Sequence, residues 1–162
     1  MGKFDPNSDR AIRGLKFQED VMNDLEDEFL SARSTRGWLS IIDPHLSEVQ
    51  LNVLEQTWGD IIVTLNDDYD PIFVECVTLR GEDSRFPESK VKKFNGDNKF
   101  YAFGWEGEEV KFIPSSVWNA YAKKLPKFYR KGRAFRKFSR KNITDIKNGC
   151  LGPEKFRTQY CE

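Results

Sequence analysis

The sequence predicts a single α/β domain, a mixed central β-sheet flanked by helices, and three observations carry that prediction. Its 162 residues match one ordinary domain. Short β-branched runs alternate with helix-period segments, the order expected of an α/β layer fold. With 13 Phe, 5 Tyr and 4 Trp the chain has the apolar bulk for a core although 32% of its residues are charged, which excludes disorder for most of it.

The first element is a helix from Asp9 to about Arg33, with Asp9 as its N-cap. Ile12, Leu15, Met22, Leu25 and Phe29 recur at spacings of three and four and form its apolar stripe. Glu19 lies four residues after Leu15 and three before Met22, on or beside that stripe. A carboxylate there needs a partner or a metal, because an unpaired buried charge is costly. Residues 35–42 read as a short strand. Residues 46–56 support two readings: Ser47 and Gln50 fit a capped helix, while Val49, Leu51 and Val53 alternate like a strand.

Two clearer strands follow. Ile61–Leu65 is short and β-branched, and the turn-rich Asn66-Asp67-Asp68-Tyr69-Asp70-Pro71 leads into Ile72–Leu79, apolar on both faces except at Glu75 and Thr78. Phe86-Pro87 opens a short helix running to about Asn95. Lys99–Trp105 and Val110–Ile113 form a hairpin around Glu106-Gly107-Glu108-Glu109, and Ser115 or Ser116 caps a helix carrying Val117, Trp118 and Tyr121. The chain thus divides into an α/β core at 1–125 and a basic C-terminal segment at 126–162, packed on the core.

Several function classes drop out. No apolar run approaches the roughly 20 residues of a membrane span, and Met-Gly-Lys-Phe-Asp-Pro lacks the apolar stretch of a signal peptide. Three Cys point to a reducing compartment, so a cytoplasmic protein is expected, with Cys76 packed in the sheet and Cys150 and Cys161 as free thiols. One His and no Cys-x-x-Cys pair exclude a recognisable zinc site, and His45, in a turn after Asp43-Pro44, is incidental.

The formal net charge of zero hides a polarised chain. Residues 1–79 hold 16 acids against 6 bases, whereas residues 80–162 hold 10 acids against 20 bases. Positions 123–147 carry 11 Lys/Arg opposed only by Asp145. Phe128, Tyr129, Phe135 and Phe138 are interleaved there with Arg130, Lys131, Arg133, Arg136, Lys137, Arg140 and Lys141. Cations suit phosphates and aromatic faces suit bases. The competing interpretation is a helix whose Phe residues dock on the core while its charges are solvated, or halves that simply attract one another.

The chemistry centres on carboxylates. Asp60 enters one strand after Trp58-Gly59, and Glu75 sits in the middle of the next. If those strands pair, the two groups approach each other. Adjacent buried carboxylates repel, so a divalent cation is their natural third member, with Glu19 as a direct or water-mediated ligand. Oxygen-only ligation suits Mg²⁺ or Mn²⁺. Taken singly, Glu75 also fits a buried ion pair with Arg80 or a lysine of the next helix, Glu19 a half-exposed helix carboxylate, and Asp60 a turn residue.

Across residues 12–114 the sequence resembles the restriction-endonuclease-like, or PD-(D/E)XK, nuclease superfamily. The resemblance rests on Gly14-Leu15-Lys16-Phe17-Gln18-Glu19, Trp58-Gly59-Asp60-Ile61-Ile62-Val63 and Phe73-Val74-Glu75-Cys76-Val77. It implies that Glu19, Asp60 and Glu75 are metal-binding catalytic carboxylates and that a cation-activated water attacks a phosphodiester. Val77 stands where the family has a lysine. Lys90 is the candidate for a relocated amine, because Val91 and Phe94 define the buried side of its helix and Lys90 is four before Phe94. Lys92 and Lys93 point further away and are assigned to nucleic-acid contact with the basic segment.

The expectation is therefore a Mg²⁺-dependent endonuclease acting on DNA, duplex or branched, whose basic segment grips the backbone. Double-strand cutting by a domain with one site favours a homodimer. The alternative is a catalytically inactive nucleic-acid-binding protein on the same fold, for which Val77 is the evidence. A third class is an interaction protein that self-associates through oppositely charged faces.

Overall fold

The structure, a computed structural model, describes residues 7–26, 30–65, 71–79, 81, 83–105, 107–146 and 150–161. Phe29, the turn at 66–70, Arg80, Glu106 and Lys147 lie outside the described residues, as does the side chain of Cys161. The elements run α1 (Asp9–Leu25), β1 (Leu30–Ser34), α2 (Thr35–Ile42), α3 (Glu48–Trp58), β2 (Ile61–Leu65), β3 (Ile72–Leu79), β4 (Asp83–Pro87) and α4 (Glu88–Lys93). They continue with β5 (Lys99–Trp105), β6 (Lys111–Pro114), α5 (Ser115–Ala122), β7 (Lys127–Arg130), β8 (Arg133–Ser139), α6 (Arg140–Thr144) and α7 (Pro153–Phe156), which passes into a π-helical turn at Arg157–Cys161.

Two sheets organise these elements. The main sheet is mixed, in the order β1-β2-β3-β5-β6. Its pairs are antiparallel except β3 with β5, which run parallel in register from Phe73↔Lys99 to Leu79↔Trp105. A parallel neighbour needs a crossover, and β4 with α4 supplies it. The second sheet, β4-β8-β7, is antiparallel and joins the basic C-terminal strands to that crossover.

Strand alternation builds a core on each face of the main sheet. On β5, Tyr101, Phe103 and Trp105 enter one cluster with Phe86, Phe94, Trp118 and Phe138, while Phe100 and Ala102 enter the other with Val21, Leu25 and Phe156. On β3 the same parity sends Phe73 and Val77 to the first cluster and Val74 and Cys76 to the second. Glu75, between Phe73 and Val77, therefore emerges on the α4 side. The Tyr101 hydroxyl, 3.0 Å from Asn119 Oδ1 and 3.2 Å from the Phe94 carbonyl, ties β5 to α5 and the end of α4.

Several local expectations are corrected. Helix α1 stops at Leu25 and its N-cap is Ser8, whose hydroxyl accepts from the Ala11 amide at 3.2 Å, rather than Asp9. Ile12 and Leu15 are exposed, 53% and 60%. The buried face runs instead through Phe17, Val21 and Leu25, because only there does the helix meet the sheet. Phe17 lies against Gly104 so closely that a Cβ at Gly104 would sit 2.0 Å from its ring.

Residues 35–42 form α2, not a strand. The Ser34 hydroxyl accepts from the Gly37 amide at 3.0 Å and caps a helix that buries Thr35 and Leu39, four apart. The strand that pairs with β2 is Leu30–Ser34, just upstream. Of the two readings of 46–56, the helix holds: Ser47 and Gln50 make a reciprocal capping box at the start of α3. Pro87 ends β4 and is the N-cap of α4 rather than its first residue. Ser115 is the first residue of α5, not a cap, and its hydroxyl bonds both the amide and the carbonyl of Gly96.

The interleaved basic segment forms a hairpin, not a docked helix. Lys131 and Gly132 both adopt positive φ, 51° and 76°, the requirement of the tight turn whose twist matches paired strands. Phe135 and Phe138 are buried, whereas Tyr129 is 68% exposed.

Candidate active site

The site forms where β2 and β3 part. Their ladder runs from Val63↔Ile72 to Ile61↔Val74 and ends there, while β3 continues to Leu79 against β5. The backbone of Asp60 closes the end of the ladder: its amide donates to the Val74 carbonyl and its carbonyl accepts from the Thr35 amide, both at 2.9 Å. Gly59 makes this turn possible. It adopts φ 79° and packs so tightly that a Cβ would sit 2.8 Å from the Val74 carbonyl oxygen, a position only glycine fills without strain. The Thr35 hydroxyl donates to the Gly59 carbonyl at 2.7 Å and holds the turn from the α2 side.

With its backbone fixed, Asp60 turns its side chain onto β3, where Oδ2 accepts from the Cys76 amide at 2.9 Å. Glu75 is one residue away on that strand and 8% exposed. Its Oε1 lies 2.5 Å from Lys90 Nζ, so the first turn of α4 returns an ammonium to the strand. Val91 and Phe94 are buried and set that helix's phase. The structure thus brings Asp60, Glu75 and Lys90 together in a cleft of about 580 Å³ that also reaches Asn52, Glu55 and Gln56 of α3.

The charges reinforce one another. Burial first, then the field of Asp60, pushes the Glu75 carboxyl up to about 7. Burial also raises Asp60, partly offset by the Cys76 amide and by Lys90. Burial would lower Lys90, but Glu75 and Asp60 outweigh it and hold the ammonium above its ordinary value. Cys76, next to both acids, is pushed well up by burial and then by the two carboxylates. It is a poor nucleophile in this state.

Glu19 is not among these groups. It is exposed on α1, on the side away from Phe17, Val21 and Leu25, which corrects its placement on the buried stripe. The carboxylate that does stand near the pair is Glu55, which feels the charge of Asp60 and whose own charge is felt by Glu75. Glu55 is held by Arg36 through a 2.9 Å ion pair. Its sequence signal was available, since Glu55 lies four residues after buried Leu51 on the helix that delivers Gly59 and Asp60. Among the described residues no cluster of three or more His, Cys, Asp or Glu side chains is arranged to hold a metal.

The basic residues divide into two groups. Lys92, Lys93, Arg130, Lys131, Arg133, Lys137 and Lys141 are exposed, with Lys93 Nζ donating to Gln56 Oε1 at 3.1 Å. Arg136 and Arg140, assigned to nucleic-acid contact with the others, are ion-paired within the protein. Arg136 forms a two-pronged pair with Glu88 at 2.5 and 3.0 Å and donates to the Leu125 carbonyl, binding β8 to α4. Arg140 pairs with Glu108 at 2.6 Å and lies 5.0 Å over the Trp105 ring. Sequence reading also missed Arg10, Arg13 and Arg85, which line an adjoining cleft.

Among the described residues no helix is long and apolar enough to cross a membrane. No protein-family model matches the sequence, and no curated protein does. Among solved structures, the chain matches the 1.6 Å structure of Hjc, a Holliday junction resolvase from the archaeal hyperthermophile Archaeoglobus fulgidus. The TM-score is 0.54 at 11% identity, over 91% of this chain and 98% of that one. The mixed sheet, its flanking helices and this match together establish that the chain has the restriction-endonuclease-like fold.

Proposed function

We propose that the protein is a divalent-cation-dependent nuclease that hydrolyses phosphodiester bonds in DNA, duplex or branched. The observation that carries this reading is the convergence of Asp60, Glu75 and Lys90 in one cleft at the parting of β2 and β3. Perturbed acids paired with a cation in a cleft are a physical signature of a reactive site. That a solved relative in fold is a Holliday junction resolvase supports the same reading.

The donor set suits Mg²⁺ or Mn²⁺. Both acids are hard oxygen donors, and each spends one oxygen, Asp60 Oδ2 on an amide and Glu75 Oε1 on Lys90. Asp60 Oδ1 and Glu75 Oε2 accept no hydrogen bond from the described residues. Mg²⁺ keeps several waters and is commonly held by one or two carboxylates, so a third protein ligand is not required. Asp60 and Glu75 would hold the ion, which when bound supplies positive charge to the scissile phosphate and acidifies a water. Lys90 places an ammonium where it can donate to a phosphate oxygen or orient the attacking water, the task that Val77 cannot perform. Cleavage of both strands by one such site favours two copies of the chain.

The test is cleavage of duplex, branched and single-stranded DNA by purified protein with Mg²⁺ or Mn²⁺, beside Glu75→Gln. Cutting that the variant lacks supports the proposal. A protein inert on all three substrates overturns it in favour of the second reading, a DNA-binding protein without catalysis. Val77 favours that reading, and so does the hold of Lys90 on Glu75. Gain of cleavage by Val77→Lys in an otherwise inert protein would identify a degenerate site.

A further inference from the structure

A second cleft, about 660 Å³, adjoins the first and shares Pro87, Lys90 and Arg133 with it. Arg10 and Arg13 of α1, Arg85 of β4 and Arg133 of β8 line it, and no Asp or Glu is among its lining residues. That is unexpected on a chain with 26 acids and 26 bases. It is more so because residues 1–79 contain only six bases and two of them stand here. None of these four arginines makes an ion pair with another described residue.

The fold gathers them on purpose-built supports. Reading back from Leu25, Val21 and Phe17, the sheet-facing side of α1 reaches Arg13, Gly14 and Arg10 in steps of three and four. Gly14, without a side chain, leaves the cleft open between the arginines. From the other wall, Arg85 and Arg133 lie 5.0 and 5.5 Å over the same Phe135 ring. An aromatic face orients guanidinium groups while leaving their N–H donors free. Burial first, and then Arg130, Arg10 and Arg133, lowers the Arg85 pKa, so the cluster is under mutual repulsion. An anion would relieve it.

We infer that Arg10, Arg13, Arg85 and Arg133 form a phosphate seat beside the candidate active site, taking a phosphate of the same nucleic-acid strand whose neighbouring phosphate faces Asp60 and Glu75. Guanidinium forks match phosphate oxygens in pairs. The seat rests on the nuclease reading for the polymer it serves, not for its anion chemistry. The phosphate belongs either to an internal diester or to a strand end, and one experiment separates them.

Single-stranded oligonucleotides bearing a terminal phosphate or only terminal hydroxyls are titrated by fluorescence anisotropy without divalent cation, against wild type and Arg10→Gln/Arg85→Gln. The seat predicts at least tenfold weaker binding by the variant and a log–log salt slope reduced by about 0.7, the value for one phosphate left unneutralised on a single strand. Tenfold tighter wild-type binding of the phosphorylated strand, abolished in the variant, identifies a terminal phosphate. Equal wild-type binding of both strands, with the same loss in the variant, identifies an internal diester. Unchanged affinity and slope in the variant overturn the seat. Should the double variant melt early, Arg10→Gln alone, at an exposed position on α1, serves with a smaller loss of affinity. If the variant loses binding while wild type cuts nothing, the seat stands and the nuclease reading fails. If the variant binds as wild type and both cut, the seat fails and the nuclease reading stands.

Discussion

Lys90 Nζ and Glu75 Oε1 meet at 2.5 Å across the gap between α4 and β3. The contact places a cation against an acid that β3 alone would leave in an apolar row between Phe73 and Val77. It also gives the site an ammonium without a lysine on β3. Removing one member of a buried pair leaves the other uncompensated, so substitutions here are best made isosterically.

Lys90→Met is expected to lower the cleavage rate about 100- to 1000-fold, the scale of losing one preorganised charge from a reacting phosphate. Mn²⁺ affinity should hold or rise, because Glu75 Oε1 is released. Single-turnover kinetics beside calorimetric Mn²⁺ titration separate the two effects. Lys92→Met and Lys93→Met, on exposed lysines, should weaken substrate binding only.

Asp60→Asn and Glu75→Gln should abolish cleavage and divalent-ion binding while leaving the fold intact. Each amide keeps an oxygen to accept from Cys76 N–H or Lys90 and removes the repulsion between the acids. Chemical denaturation without metal should therefore show stability equal to wild type or higher, within about 1 kcal/mol. A variant that unfolds while wild type binds no Mn²⁺ would make Glu75 a structural acid.

The raised Glu75 pKa has a definite sign. Its reference value is 4.5 and its folded value about 7, so the folded protein takes up the extra proton. That contribution to stability is complete below about 4.5 and is lost as the pH rises through 7. Metal-free wild type should lose stability relative to Glu75→Gln between those limits. Mn²⁺ affinity should fall about tenfold per pH unit below 7, since the proton competes for the same carboxylate.

Gly59→Ala should destabilise the protein by about 1–3 kcal/mol, the cost of a non-glycine residue held at positive φ, with a clash at the Val74 carbonyl added. Because the same turn aims Asp60, cleavage should fall further than the folded fraction does. Urea denaturation and activity measured on one preparation compare the two losses.

Replacing exposed Arg130, Lys131, Lys137 and Lys141 by Gln should flatten the salt dependence of duplex binding by about 0.9 for each phosphate no longer neutralised. Arg136→Gln should instead lower stability with little change of slope, because its guanidinium binds Glu88 and the Leu125 carbonyl.

Local pattern alone determined β2, β3, β5, the helix after Pro114 and the presence of Asp60 and Glu75 on adjoining strands, because β-branched runs and turn residues act within a few positions. It also set the phase of α4, since Val91 and Phe94 had to face inward, and with it the side of Lys90. Tertiary structure decided the rest. Helix α1 carries apolar residues on more than one face, and only packing on the sheet selects Phe17, Val21 and Leu25 over Ile12 and Leu15. That choice turns Glu19 to solvent and Arg10 and Arg13 into a cleft. Residues 35–42 suit strand or helix by composition, and pairing of Leu30–Ser34 with β2 leaves them the helix. Charge counts could not separate Arg136 and Arg140 from their basic neighbours, because the acids that hold them, Glu88 and Glu108, are 48 and 32 residues away. Long-range pairing has no local signature, so which charges are committed and which are free is a property of the fold.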